Sequence, residues 1–151
     1  MRAQSGWYRE RRLVPLGTGL FLWREGNYSR RCGTMMFRGT GTAVVTPFRD
    51  GAVDYGSFER FLNWQIESGV EFLVVLGTTG ESPAITAAER EEIIAFSLRV
   101  AAGRVPVVIG TGTNSTAHSV ELSRQAEKLG AQGVLVVTPY YRPWRRRWRC
   151  R

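Results

Sequence analysis

Four short apolar runs recur through the middle of this chain, at 42–48, 72–76, 106–110 and 133–138, and each gap between them holds a segment with helical hydrophobic spacing. A strand that is apolar at nearly every position has both faces buried, which a sheet with one wet face does not require. Strands of that kind, about thirty residues apart with a helix in each gap, predict parallel βα units covered by helices. Local signals agree. Asp54 is placed to cap a helix from 55 to about 68, with Phe58, Phe61, Leu62 and Ile66 on one face and Gly69 after its last turn. Thr86 and Glu89 stand at capping-box spacing before a helix to about residue 102, whose apolar candidates are Ile93, Ile94, Phe96, Leu98 and Val100. A third helix spans about 116 to 129 and stops at Gly130.

Two α/β architectures use such units. A doubly wound dinucleotide site is disfavoured, because no Gly-x-Gly-x-x-Gly follows the first strand. A barrel is favoured, because every strand ends in hydroxyls or polar groups at its C-terminal edge: Thr46, Thr78 and Thr79, Thr111 and Thr113, Thr138 and Tyr141. In a (β/α)8 barrel that edge is where the active site is assembled, but a whole barrel needs eight strands and about 250 residues. The expected fold class is therefore α/β, the N-terminal half (about four βα units) of a TIM (β/α)8 barrel. Four strands of an unclosed barrel would expose two sheet edges and a core face, so self-association is expected.

The ends read differently from the middle. The net charge of +8 over 151 residues divides into +5 for 1–35, −3 for 36–141 and +6 for 142–151, so the basic excess lies wholly at the termini. Three segments follow: a non-family extension at 1–35, expected to be disordered or to precede the natural start at Met35 or Met36; a partial barrel domain at 36–141; and an aberrant Arg/Trp tail at 142–151. Residues 13–23 are apolar enough to suggest a signal or transit peptide, but Gly17, Thr18 and Gly19 interrupt them and no small-residue cleavage pattern follows. The tail could touch phosphate backbones or an anionic membrane, but its abrupt composition is better explained by a slip of reading frame. Cys32 and Cys150 both lie in the end segments and make no disulfide framework or metal-ligand spacing. No stretch approaches the roughly 18 apolar residues of a membrane span.

The segment most suggestive of chemistry is Gly77-Thr78-Thr79-Gly80-Glu81-Ser82, which closes the second strand. Backbone amides and two hydroxyls gathered at a strand end suit the carboxylate of a small anion. A plain tight βα turn, with Gly supplying positive φ, remains the competing reading.

Residues 36–141 resemble the N-terminal half of the 4-hydroxy-tetrahydrodipicolinate (dihydrodipicolinate) synthase family. The resemblance rests on Met36-Phe-Arg-Gly-Thr-Gly, Thr46-Pro-Phe48, the Gly-Thr-Thr-Gly-Glu-Ser segment, Val105-Pro-Val-Val-Ile-Gly-Thr-Gly112 and Val137-Thr-Pro-Tyr-Tyr141, in order. It implies a pyruvate-dependent class I aldolase, a lyase of lysine and diaminopimelate biosynthesis. In that chemistry a Lys forms a Schiff base with pyruvate and the enamine attacks L-aspartate semialdehyde. By position, Thr79 and Gly80 would hold the pyruvate carboxylate, and Thr78 and Tyr141 would belong to a hydroxyl proton relay. Ser82, Asn114, His118 and Tyr140 match or adjoin an effector site, although Ala87 and Arg90 stand where lysine-sensitive members carry His. The resemblance further implies no cofactor and no metal, a homotetrameric parent in the cytoplasm, and no nucleic-acid or membrane partner.

The family's Schiff-base Lys lies on the sixth strand, beyond this match, and the only Lys here is Lys128. Near a helix C-terminus it is expected to face solvent, where it favours the helix dipole, whereas an imine-forming amine needs a desolvated pocket. The expectation is a truncated, catalytically incomplete synthase. A related sugar-acid or N-acetylneuraminate lyase, and a non-enzymatic basic-tailed fragment, are the alternatives. Trp64 is expected to serve packing.

Overall fold

The computed structural model describes residues 14–16, 20–22, 37–138, 140 and 141. In chain order the elements are β1 (Val14–Leu16), β2 (Leu20–Leu22), β3 (Gly41–Ala43), β4 (Phe48–Arg49), β5 (Ala52–Val53), α1 (Tyr55–Glu67), β6 (Phe72–Val75), α2 (Ala87–Ala101), β7 (Val107–Gly110), α3 (Thr116–Lys128) and β8 (Gly133–Leu135). Two 3-10 turns, Thr78–Gly80 and Ser82–Ala84, lie between β6 and α2.

β3, β6, β7 and β8 are adjacent in that order and parallel throughout, with Val74 opposite Val108 and Ile109 opposite Val134. Each strand neighbours the one before it in sequence, with no reversal of direction across the sheet. That progression is the barrel's; a doubly wound sheet reverses its strand order at a switch point. The expected α/β half-barrel architecture is present, with β4 and β5 forming a separate small hairpin.

Side-chain alternation sends the two faces of each strand to different cores. Leu73, Val75, Val107, Ile109 and Val134 pack with Phe58, Leu62, Ile93 and Ile94 beneath the helices. Val74 and Val108 face the other way and are covered by Phe37. The Phe37 ring lies 5.3 Å from Phe72 at 58°, a tilted pairing that aromatic quadrupoles favour. All four residues of β7 are buried, as expected for a central parallel strand covered on both faces.

Helix ends follow the residues that cap them. Asp54 accepts from the Ser57 amide at 2.9 Å and from its hydroxyl at 2.8 Å. Thr86 and Glu89 form the full capping box, with the Thr86 amide donating to Glu89 Oε2 at 2.9 Å. Gly69 and Gly130 leave α1 and α3 at φ +88° and +96°, conformations that only Gly adopts freely.

Several expectations are corrected. The strand expected at 42–48 is only Gly41–Ala43; the chain then leaves the sheet because Pro47 cannot donate to a ladder and Thr46 turns inward. The strand expected at 133–138 stops at Leu135. Within the N-terminal extension β1 pairs antiparallel with β2, and β2 pairs antiparallel with β8. The unpaired amides and carbonyls along the outer edge of β8 are a template for such pairing. Two apolar runs flanking Gly17-Thr18-Gly19 are a hairpin signal. The sheet keeps two edge strands, β3 and now β1 in place of β8, and Phe37 partly closes the core face. Trp64 is 60% exposed, with its ring 5.9 Å from that of Phe61, so it packs less than expected. The other residues of 1–35, and the whole of the tail at 142–151, lie outside the described residues.

Two predictions follow from this packing. Leu62→Ala removes a fully buried side chain between α1 and the sheet and should lower the unfolding free energy by about 2–5 kcal/mol in urea titrations. The amide and hydroxyl of Ser57 lower the pKa of Asp54, and the hydroxyl and amide of Thr86 lower that of Glu89. A depressed folded-state pKa means that the unfolded chain binds more protons. The stabilisation is then complete above the ordinary carboxylate range and is lost as pH falls through the folded values. The urea midpoint should fall between about pH 5 and about pH 3. Asp54→Asn with Glu89→Gln should start lower at neutral pH and fall less.

Candidate active site

The hydroxyl-rich strand ends meet along one edge of the sheet, but the structure divides their roles. Thr46 is buried, and its Oγ1 donates to the Gly80 carbonyl at 2.9 Å. Thr111 is buried against Ser123, with their hydroxyl oxygens 2.8 Å apart. Thr113 accepts from the Ser115 amide and lies 3.0 Å from Ser119 Oγ. These three hydroxyls hold the edge together. Thr78 and Thr79 differ: both are exposed, and neither side chain makes a hydrogen bond among the described residues.

Their presentation follows from the backbone. Leu76 leaves β6 at φ +56° and Glu81 sits at φ +55°, both in the left-handed region. Between them a single 3-10 turn is closed by the Gly80 amide on Gly77 O and the Glu81 amide on Thr78 O, each at 3.1 Å. The amides of Thr78 and Thr79, at the start of that turn, have no acceptor within it. A non-Gly residue in the left-handed region costs about 1–3 kcal/mol and persists only where its surroundings over-determine it.

Those surroundings are visible. A Cβ on Gly110 would overlap the Leu76 carbonyl and the Gly77 amide, so the end of β6 rests directly on the end of β7. A Cβ on Gly80 would stand 3.2 Å from the Val44 carbonyl. From the far side Arg90, on α2, donates through Nη1 to Ser82 Oγ at 2.9 Å and through Nη2 to the Gly110 carbonyl. Arg90 is 5% exposed, its Nε has no partner, and burial pulls its guanidinium below the usual pKa.

The remaining site expectations separate. Gly80 is buried under Val44 and Thr46, so its side of the turn faces protein while Thr79 faces solvent. Tyr141 is 97% exposed at φ +56°, with its ring edge-on to Tyr140 at 5.7 Å. No hydrogen bond joins Tyr141 to Thr78 among the described residues, so this pair is not assembled into a relay here. Ser82 is half-buried on Arg90, Asn114 is exposed at the bend after β7, and Tyr140 is about half-exposed. His118 is exposed on the first turn of α3, with Nδ1 3.5 Å from Glu121 Oε2. No hydrogen bond links these four candidate effector residues to one another among the described residues. Lys128 is exposed at the C-terminal end of α3, which leads into the start of β8, the opposite end of the sheet from residues 77–80. No metal-binding group of His, Cys, Asp and Glu occurs among the described residues, and no described helix is long and apolar enough to cross a membrane.

Arg90 is the site residue that the motifs alone left without a role. Its signal was periodic: Arg90, Ile94, Ser97 and Ala101 recur at helical spacing and are all buried.

Gly110→Ala should force the ends of β6 and β7 apart, lowering the unfolding free energy by about 3 kcal/mol or more and broadening the amide resonances of residues 77–82. Gly56→Ala, in the first turn of α1 with only ordinary contacts around its Cβ, should be neutral or stabilising in the same urea assay.

Comparison with known proteins agrees with this geometry. The dihydrodipicolinate synthetase family profile matches residues 36–147. A 4-hydroxy-tetrahydrodipicolinate synthase of Kosmotoga olearia is 61% identical over 106 residues, covering 70% of this chain and 36% of the relative. The crystal structure of dihydrodipicolinate synthase from Thermotoga maritima superposes with a TM-score of 0.69 at 57% identity, covering 70% of this chain and 36% of that one. The chloride-inhibited synthase of Acinetobacter baumannii, solved with pyruvate, superposes at 0.66 with 44% identity over 68% of this chain and 36% of its own. The chain thus spans little more than a third of these relatives. With the family profile matching well over half of its residues, the chain belongs to the dihydrodipicolinate synthetase family.

Proposed function

We propose that residues 77–80 form the keto-acid cradle of a 4-hydroxy-tetrahydrodipicolinate synthase, the part that holds the carboxylate of pyruvate. The observation that carries this reading is the pair of exposed hydroxyls, Thr78 and Thr79, left without partners on a turn whose backbone is fixed from both sides. Hydroxyls and free amides donate to a carboxylate without a fixed charge, and a turn already held in shape loses little entropy when the ligand arrives. The pyruvate complex of the A. baumannii relative supports the choice of keto acid.

In this reading Thr79, with the backbone through Gly80, binds the carboxylate. Thr78 carries a hydroxyl that relays a proton once Tyr141 is drawn in beside it, since hydroxyls within hydrogen-bond reach can exchange protons without burying a charge. The second substrate is L-aspartate semialdehyde and the assembled parent is a homotetramer. The amine is the element that this chain does not bring to the cradle. Lys128 is exposed at the opposite end of the sheet, away from any desolvated pocket of the kind an imine-forming amine needs. The chain by itself therefore binds keto acid without forming an imine.

Titration of the 15N-labelled chain with pyruvate should move the Thr78 and Thr79 amide resonances, and Thr79→Val should weaken that binding by about tenfold or more, the loss of one hydrogen bond to a charged group. Borohydride added with pyruvate should leave the chain mass unchanged. Pyruvate-independent spectra at residues 77–80 would overturn the cradle, and a reduced adduct on any side chain would overturn the absence of an amine.

A further inference from the structure

The turn that bears Thr78 and Thr79 begins and ends on the same residue. Its entry, Leu76-Gly77, rests on Gly110 so closely that no Cβ fits. Its exit, Ser82, is tied back to the Gly110 carbonyl through the guanidinium of Arg90. Thr46 pins the turn between these points, at the Gly80 carbonyl, 2.9 Å away. We propose that Arg90 is a positioning residue: its guanidinium closes the turn onto the end of β7 and so holds the Thr78 and Thr79 hydroxyls at the spacing a small keto-acid carboxylate requires.

Three observations favour positioning over plain stabilisation. A guanidinium presents diverging donors in one rigid plane, so a single side chain can bridge Ser82 and Gly110; an ammonium has no such fork. Both acceptors are neutral, and no carboxylate pairs with Arg90 among the described residues. The buried Nε is left unmatched. A buried charge with neutral partners and an orphaned donor is a poor source of stability, and an apolar side chain of similar volume commonly does as well or better there. What an apolar side chain cannot do is link the two acceptors.

The inference rests on the keto-acid reading for its purpose but not for its geometry, so the test has two arms. The first needs no ligand: hydrogen exchange of the Gly80 and Glu81 amides, which close the turn on Gly77 and Thr78, is followed in the 151-residue chain. Arg90→Met should keep the urea midpoint at or above that of the unsubstituted chain while accelerating exchange at those two amides at least fivefold, and Arg90→Lys should recover only part of that protection. The second arm is pyruvate titration. If the competent turn is populated a fifth as often, the apparent Kd rises about fivefold. Should Arg90→Met fail to fold, Ser82→Ala removes one anchor at a half-buried position without touching the buried charge, and the same acceleration is expected. Exchange at Gly80 and Glu81 within twofold of the unsubstituted chain, in whichever variant folds, would overturn the inference. Loss of stability in step with exchange would do so too, since it would make Arg90 merely structural. A chain that shows no response to pyruvate while the exchange result holds would overturn the keto-acid reading and leave the Arg90 tie standing.

Discussion

The pairing of β6 with β7 is the constraint on which the rest depends. β7 is buried at all four positions, so both of its faces must be covered, and neither cover is optional. Val107 and Ile109 require the helices, while Val108 requires something on the opposite side, and Phe37 supplies it. The register of that pairing, with Val75 opposite Ile109, sets Leu76 over Gly110. Because Gly110 has no side chain, the two strand ends can touch. The shape of the Thr78–Thr79 turn is thus inherited from the core beneath it.

That dependence explains how hydroxyls of the same kind came to serve different ends. Thr46, Thr111 and Thr113 lie where neighbouring carbonyls and hydroxyls are within reach, and each is consumed in holding β3, β7 or α3 in place. Thr78 and Thr79 lie on the outer side of a turn whose inner side is occupied by Gly80 against Val44 and Thr46. A buried hydroxyl without a partner is costly, whereas an exposed one is satisfied by water until a ligand displaces it. Exposure is what leaves these two hydroxyls without a protein partner among the described residues. Arg90 extends the same logic in the opposite direction, as a charge drawn out of water to fasten the turn from behind.

Much of the architecture was legible because its signals are local. The capping box at Thr86 and Glu89, the Asp54 cap and the glycines after α1 and α3 act within a few residues, and each helix falls where they place it. The strands were legible as apolar runs, though β3 and β8 came out shorter than their runs, because strand length depends on the partner offered by the neighbouring strand. The N-terminal hairpin was missed for the same reason. Its apolar runs were visible, but the edge of β8 that receives them comes from residues more than a hundred positions later.

The sequence alone determined the family, the order of the βα units, the helix boundaries and the identity of the turn that carries two hydroxyls, because motif spacing and capping are properties of neighbours along the chain. Only the tertiary structure decided which hydroxyls are already occupied and that no hydrogen bond joins Tyr141 to Thr78 among the described residues. It also decided that Arg90 joins Ser82 to Gly110. Those outcomes depend on distances between segments tens of residues apart, and packing sets those distances.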